Sequence, residues 1–179
     1  MLWANGRGAT DEVVAVPGSD LWDWRLSIAE VNEDGPFSIL PGVERALVVA
    51  SGKGMILNVD GMDHTVRTFE EVRFSGDVAT HGKLLEGPVR DLNLMVRRLA
   101  GLGLPELRVV RSEAGSDVSL GDAVAAVVLD GWVMIEGGPE VLAERFDVFL
   151  PEPTDAVGSG VLTAFTDSVI VLACLRSAS

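Results

Sequence analysis

The chain has 179 residues, 47% of them apolar and 23% charged, a balance that excludes disorder and predicts one domain or two small ones. With 14 Lys and Arg against 27 Asp and Glu, the net charge of −13 excludes, on average, a surface for nucleic acid or an anionic membrane. Residues 1–100 carry −5 and residues 101–179 carry −8, so a site for a small anion is expected in the first half.

No apolar run approaches the ~18 residues of a membrane span, and the opening MLWANGRG lacks the apolar stretch of a secretory leader. A soluble, cytoplasmic, globular protein is expected. Trp22, Trp24, Leu26 and Ile28 alternate with Asp23, Arg25, Ser27 and Ala29, which predicts a strand with one apolar and one polar face. Asp34-Gly35-Pro36 and Pro41-Gly42 read as turns. The apolar run Ala46–Ala50 suits a strand covered on both faces. Gly52-Lys53-Gly54 after it lacks the spacing of a phosphate cradle and reads as a hairpin turn. Asp60-Gly61 is another turn.

Leu92, Leu94 and Val96 alternate with Asn93, Met95 and Arg97 as a second two-faced strand. Two Gly and a Pro within Leu99–Pro105 then mark a seam, so the expected division is residues 1–100 and 101–179, each the size of a small β-barrel. Val124–Leu129 and Val169–Leu175 are apolar strands, and Asp130-Gly131 predicts a two-residue hairpin into Trp132–Ile135. Gly138–Phe146 is the best helical candidate, although a strand fits equally well. Short strands punctuated by 20 Gly and 8 Pro predict an all-β antiparallel sandwich or barrel, with no exact sequence repeat between the halves.

Chemistry-bearing groups are few. His64 and His81 form no HxH or HExxH pattern, and Cys174 stands alone inside an apolar strand, so neither a metal nor an organic cofactor is expected. Asp91, Asn93 and Arg97 share one strand face, and Arg25 interrupts another strand. If that face is the interior, these residues make a clamp for a small carboxylate or amide; if it is solvent, they are a solvated face or an Arg–Asp brace. Trp22 and Trp24 read as core.

Six blocks in order resemble the HutD/Ves family. They are Trp3-Ala4-Asn5-Gly6-Arg7-Gly8-Ala9-Thr10, Trp24-Arg25-Leu26-Ser27-Ile28-Ala29, Asp34-Gly35-Pro36-Phe37-Ser38, Pro41-Gly42-Val43-Glu44-Arg45, Phe74-Ser75-Gly76-Asp77, and Gly87–Arg98 (GPVRDLNLMVRR). The resemblance implies a bicupin, two small cupin-type antiparallel β-barrels in one chain, with an accessory or regulatory place in histidine utilisation. Ala4 stands where the family's opening usually has Lys, and Arg7 where it has Gly. Cupin barrels hold ligands in their interior, which implies ligand-binding roles for Asn5, Arg25, Arg45, Asp91, Asn93 and Arg97. In that reading Arg25, Arg45 and Arg97 pair with carboxylate, Asn5 and Asn93 hydrogen-bond its neutral edges, and Asp91 holds an arginine in place.

The expected partner is a small anionic metabolite of the urocanate or formyl- or formimino-glutamate class, with neither nucleic acid nor membrane, and with a homo-oligomer left open. A metal-free isomerase or hydrolase using Asp91, Asp77 or His81 as acid and base is the second reading, and a protein-interaction subunit the third.

Overall fold

The computed structural model describes residues 8–18, 21–135, 142–151 and 160–176. The chain forms two units, Met1–Pro105 with Arg176–Ser179, and Glu106–Leu175. The first contains β1 (Gly8–Val16), β2 (Trp24–Val31), β3 (Gly35–Pro36), β4 (Val43–Ser51), β5 (Met55–Val59), β6 (Met62–Val66), β7 (Glu71–Ser75), β8 (Thr80–Leu84) and β9 (Val89–Arg97). The second is built from β10 (Leu104–Ser112), β11 (Asp117–Ser119), β12 (Ala123–Asp130), β13 (Val133–Ile135), β14 (Leu142–Ala143), β15 (Val148–Phe149), β16 (Val161–Ala164) and β17 (Ser168–Arg176). Among the described residues the only helical segment is the 3-10 turn Arg98–Ala100. The period-two patterns above thus become strands, as the abundance of β-branched and turn residues dictates.

Each unit consists of two antiparallel sheets. The orders are β1-β2-β9-β4-β7 and β3-β8-β5-β6 in the first, and β10-β17-β12-β15 and β11-β16-β13-β14 in the second. Leaving out β1 and counting on by eight, the two topologies are identical. Among the described residues no ladder joins the paired sheets into a closed ring. They pack face to face: Val31, Leu47 and Val49 of one sheet meet Met55, Leu57 and Val66 of the other in the first core. In the second, Ala126, Val128, Ile170 and Leu172 meet Val118, Val133 and Leu162.

The equivalence extends to single hydrogen bonds. In the first unit the Arg67 N–H donates to the Glu70 carboxylate at 2.8 Å, the Glu70 N–H to the Arg67 carbonyl at 3.0 Å, and the Phe69 N–H to the Val49 carbonyl at 2.8 Å. In the second the Glu144 N–H donates to the Asp147 carboxylate at 2.8 Å, the Asp147 N–H to the Glu144 carbonyl at 2.9 Å, and the Phe146 N–H to the Val128 carbonyl at 2.7 Å. The phenylalanine is left-handed in both turns, with φ 66° at Phe69 and 73° at Phe146. A bulky residue in that region costs on the order of 1–2 kcal/mol, so surrounding contacts must hold it there.

Two expected hairpins are something else. Ser51–Gly54 joins β4 to β5, and Asp130-Gly131 joins β12 to β13, yet neither pair of strands shares a sheet. Both are corners where the chain passes from one sheet to its partner. Their glycines answer a close approach: a Cβ on Gly52 would lie 2.6 Å from the Pro88 carbonyl oxygen, and one on Gly131 would lie 2.3 Å from Ser168 Oγ. Asp60-Gly61, by contrast, is a true two-residue hairpin, closing the β5–β6 ladder with φ 48° and 84°. Of the helical candidate Gly138–Phe146, Leu142–Ala143 is strand β14 and Glu144–Phe146 belongs to the turn; residues 136–141 lie outside the described residues.

Gly131→Ala should therefore cost about 2–4 kcal/mol, from backbone strain plus overpacking. Gly121→Ala, at φ 57° with nothing within 4 Å of the added carbon, should cost about 1 kcal/mol. Urea midpoints of the two variants check the difference; equal losses would contradict the corner assignment.

Candidate functional site

Strands β2, β9 and β4 are neighbours, and their registers put Arg25, Met95 and Arg45 in one row, Ser27, Asn93 and Leu47 in the next, then Ala29, Asp91 and Val49. Directly paired residues of an antiparallel ladder point to the same side. That side carries Leu47 and Val49, which pack on Met55 and Leu57 of the facing sheet, so it is the interior of the first unit. Leu26, Leu92, Leu94, Ala46 and Val48 on the opposite side are buried as well. The polar alternation in β2 and β9 is therefore turned inward.

Asp91 is 0% exposed and Asn93 3%. Among the described residues neither Asp91 carboxylate oxygen, nor Asn93 Oδ1, receives a well-formed hydrogen bond, although the Asn93 side chain lies near enough to Asp91 to favour its charged form. Arg45 is 6% exposed; one terminal nitrogen donates to the Ser38 carbonyl at 3.4 Å, while its Nε has no hydrogen-bond acceptor. Its guanidinium lies over the rings of Phe37, at 5.3 Å, and Phe74, at 4.9 Å, which themselves meet edge to face. Burying polar groups without partners costs about 1–3 kcal/mol each, more for charged ones, so such a cluster in a core calls for a reason.

Burial dominates the electrostatics. It pushes the Asp91 carboxyl up to about 7, although Arg45 and the Asn93 side chain pull the other way. It draws Arg45 down to about 10; Asp91 opposes this, and the like charge of Arg25 adds to it. Asp91 and Arg45, two rows apart on the same inner face, thus act on each other through their charges without a direct hydrogen bond. The chemistry available is anion attraction by two guanidiniums, together with a carboxyl group that changes charge near neutral pH.

Arg25 reaches the rim of this cluster. It pairs with Glu12 on β1 at 3.7 Å, donates to Met95 Sδ at 3.5 Å and lies over the Trp22 ring at 5.2 Å. Arg97 lies over the same ring, at 4.8 Å. Trp22, expected as core, is indeed buried, and it also carries two cations. The expectation that Asp91 holds Arg25 or Arg97 fails: both Asp91 oxygens lack donors, its electrostatic partner is Arg45, and Arg25 is held by Glu12. Asn5 lies outside the described residues. Glu12, Phe37, Phe74 and Ser27 join the cluster without having been singled out. The alternation Arg25–Ser27 was the one visible signal for the last.

The other candidate acid–base groups lie elsewhere. Asp77 accepts hydrogen bonds from the Gly42 N–H at 2.7 Å, the Ser75 hydroxyl at 3.0 Å and the Arg98 guanidinium, which together hold its carboxyl below the usual range. It closes the exposed Ser75–Asp77 turn, and Arg98 bridges it to Glu44. His64 and His81 are exposed on β6 and β8. Among the described residues no three His, Cys, Asp or Glu side chains gather as a metal-ligand set, and no helix is long and apolar enough to cross a membrane.

Comparison with known proteins bears on this geometry. A model of the HutD family matches residues 1–160. An uncharacterized 21.2 kDa protein in the hutC 3' region of Pseudomonas putida is 42% identical over 98 residues, 53% of this chain and 52% of that one. Protein Ves of Citrobacter koseri is 38% identical over 100 residues, 54% of this chain and 52% of that one. The chain spans about half the length of these curated relatives. A conserved protein of unknown function from Pseudomonas aeruginosa PAO1 has a similar solved structure, with TM-score 0.82, 31% identity, and coverage of 100% of this chain and 94% of that one. HutD from Pseudomonas fluorescens SBW25 gives TM-score 0.76 at 26% identity, covering 98% and 93%. A Cupin 2 conserved barrel domain protein from Leptotrichia buccalis shares the fold alone, at 12% identity and TM-score 0.61 over 94% and 89%. The all-β, cupin-type expectation holds.

The raised carboxyl of Asp91 has a measurable consequence. Between its ordinary 3.8 and about 7 the folded chain binds more protons than the unfolded one, so this group stabilises the fold at low pH and its contribution is lost as pH rises through that interval. Asp77 acts in the opposite sense and in a lower interval, losing its contribution as pH falls below 3.8. Asp91→Asn should remove a slope of up to about 1 kcal/mol per pH unit between pH 4 and 7. Urea titrations of parent and variant across that range measure it, and parallel curves would rule it out.

Proposed function

The chain belongs to the HutD family, and on that footing we propose that the interior of its first unit binds a small anionic metabolite, serving an accessory or regulatory role in amino-acid (histidine) breakdown. The observation that supports this reading is the inner face of three successive rows on which acceptors without donors, on buried Asp91 and Asn93, share the side of guanidiniums with nitrogen to spare, on buried Arg45 and half-buried Arg25. A ligand complementary to that row carries a carboxylate at one end and an N–H donor at the other. Urocanate and formyl- or formimino-glutamate each combine the two. Arg45 would meet the carboxylate as a planar fork, its guanidinium held over the rings of Phe37 and Phe74, while Asp91 and Asn93 accept the ligand's N–H. The names of the relatives in the hutC region and of HutD itself are the ground for placing that metabolite in histidine breakdown.

One observation favours a second reading, catalysis. Asp91 is a fully buried carboxyl raised to about 7, which suits a general acid or base near neutral pH. Of the three acid–base candidates only this one lies on that inner face.

Binding is read by isothermal calorimetry and thermal shift with urocanate, formylglutamate and formiminoglutamate, and turnover by following each compound in time. Arg45→Met should weaken binding roughly 10–150-fold, the loss of about 1.5–3 kcal/mol expected for a charged hydrogen-bond partner. Arg25→Ala and Arg97→Ala should each abolish the thermal shift, whereas Arg145→Ala, in the other unit, should leave it intact. A response equal to the parent's in all of these variants would make the arginines structural. Turnover lost in Asp91→Asn would decide for the enzyme.

A further inference from the structure

Residues of the second unit line a pocket of about 270 Å³ between its two sheets, partly open to solvent and walled by Ala126 and Val128 of β12, Val133 of β13, Ala143 of β14, Phe149 of β15 and Leu162 of β16. Most of these belong to the core itself, so the pocket reaches into that core from the surface. Native interiors hold few spaces larger than a water molecule, and one with apolar walls favours apolar occupants over water. A cavity near 150 Å³ already admits benzene, and this one is nearly twice as large.

The equivalence of the two units shows where the space comes from. Leu47 faces Asn93 and Val72 across its ladders, and Ala126 faces Leu172 and Phe149 in the matching place. Met55 pairs with Val66 as Val133 pairs with Ala143. At all three positions the second unit has the smaller side chain. Phe149 and Leu162 occupy the places of Val72 and Gly82 and form walls.

The same correspondence removes the charges. β9 and β17 are both nine residues long, and Val49 faces Asp91 as Val128 faces Ile170. Ile170, Leu172 and Cys174 therefore stand where the first unit has Asp91, Asn93 and Met95. Among the described residues no cationic side chain lines the cavity, and the one charged liner, Asp147, has a carboxylate oxygen engaged by the Glu144 N–H at 2.8 Å.

We propose that the interior of the second unit is a separate binding site for a small, uncharged, largely apolar molecule of bicyclic or phenyl-alkyl size. The pocket volume of about 270 Å³ sets the size, the apolar walls set the chemistry, and Asp147, with no cation among the described liners, turns carboxylates away. The site is independent of the reading proposed for the first unit, because its ligand needs no arginine.

Indole is the probe and indole-3-carboxylate its anionic counterpart. Indole at millimolar concentration should raise the midpoint of thermal unfolding and shift the methyl resonances of Val128 and Leu162, and the carboxylate should do neither. Ala126→Leu, which restores the residue of the first unit, should weaken indole binding at least tenfold while unfolding no earlier than the parent. An unchanged indole response in that variant, or an equal response to the carboxylate, overturns the proposal. Should Ala126→Leu fail to fold, the methyl spectrum of the unaltered chain decides: shifts confined to the cavity support the site, and shifts elsewhere or none at all overturn it.

Discussion

The first unit depends on the register of β2 against β9, which runs without a bulge from Trp24 opposite Val96 to Val31 opposite Val89. A slip by one residue would exchange every inward side chain with an outward one. Usually the apolar face forbids this. Here both faces are buried, with Leu26, Leu92 and Leu94 on one side and Asp91 and Asn93 on the other. The register is therefore specified by the polar set as well: a slipped pairing would turn Arg25 and Ser27 away from Met95 and Asn93 and set Leu26 and Ile28 beside them.

That arrangement explains why the two units can share a backbone and differ inside. The corners at Gly52 and Gly131, the turns at Phe69 and Phe146 and the strand orders are all backbone features, indifferent to what every second residue of the central strands carries. The first interior spends stability on unsatisfied polar atoms, whereas the second leaves volume unfilled. Both are departures from the close-packed apolar core that would stabilise such a sandwich most.

Much of this was legible beforehand. The strands followed from period-two alternation, and Arg25, Asp91, Asn93 and Arg97 stood out because polar side chains recur there with the same period. Whether that face meets water or core was not legible, since alternation is equally compatible with either; only the facing sheet decides. The corners were misread for a related reason. A glycine at positive φ gives the same local signal in a hairpin and in a passage between sheets, and the distinction lies in which distant strands pair. Glu12, Phe37 and Phe74 reach the arginines across long stretches of chain, so nothing near them announces the contact. The doubled topology was hidden because the matching positions differ in sequence, Asp91 against Ile170 and Asn93 against Leu172.

The left-handed phenylalanines fix a point of reference for both units. Phe69 and Phe146 stand at the same topological place, each inside the same three hydrogen bonds, in a backbone state that most residues avoid. Each turn is tied to the central sheet through a single carbonyl, that of Val49 or Val128, whose own side chain points into the interior. The strand that follows therefore enters its sheet at the same level in both units, whatever side chains fill the space beside it.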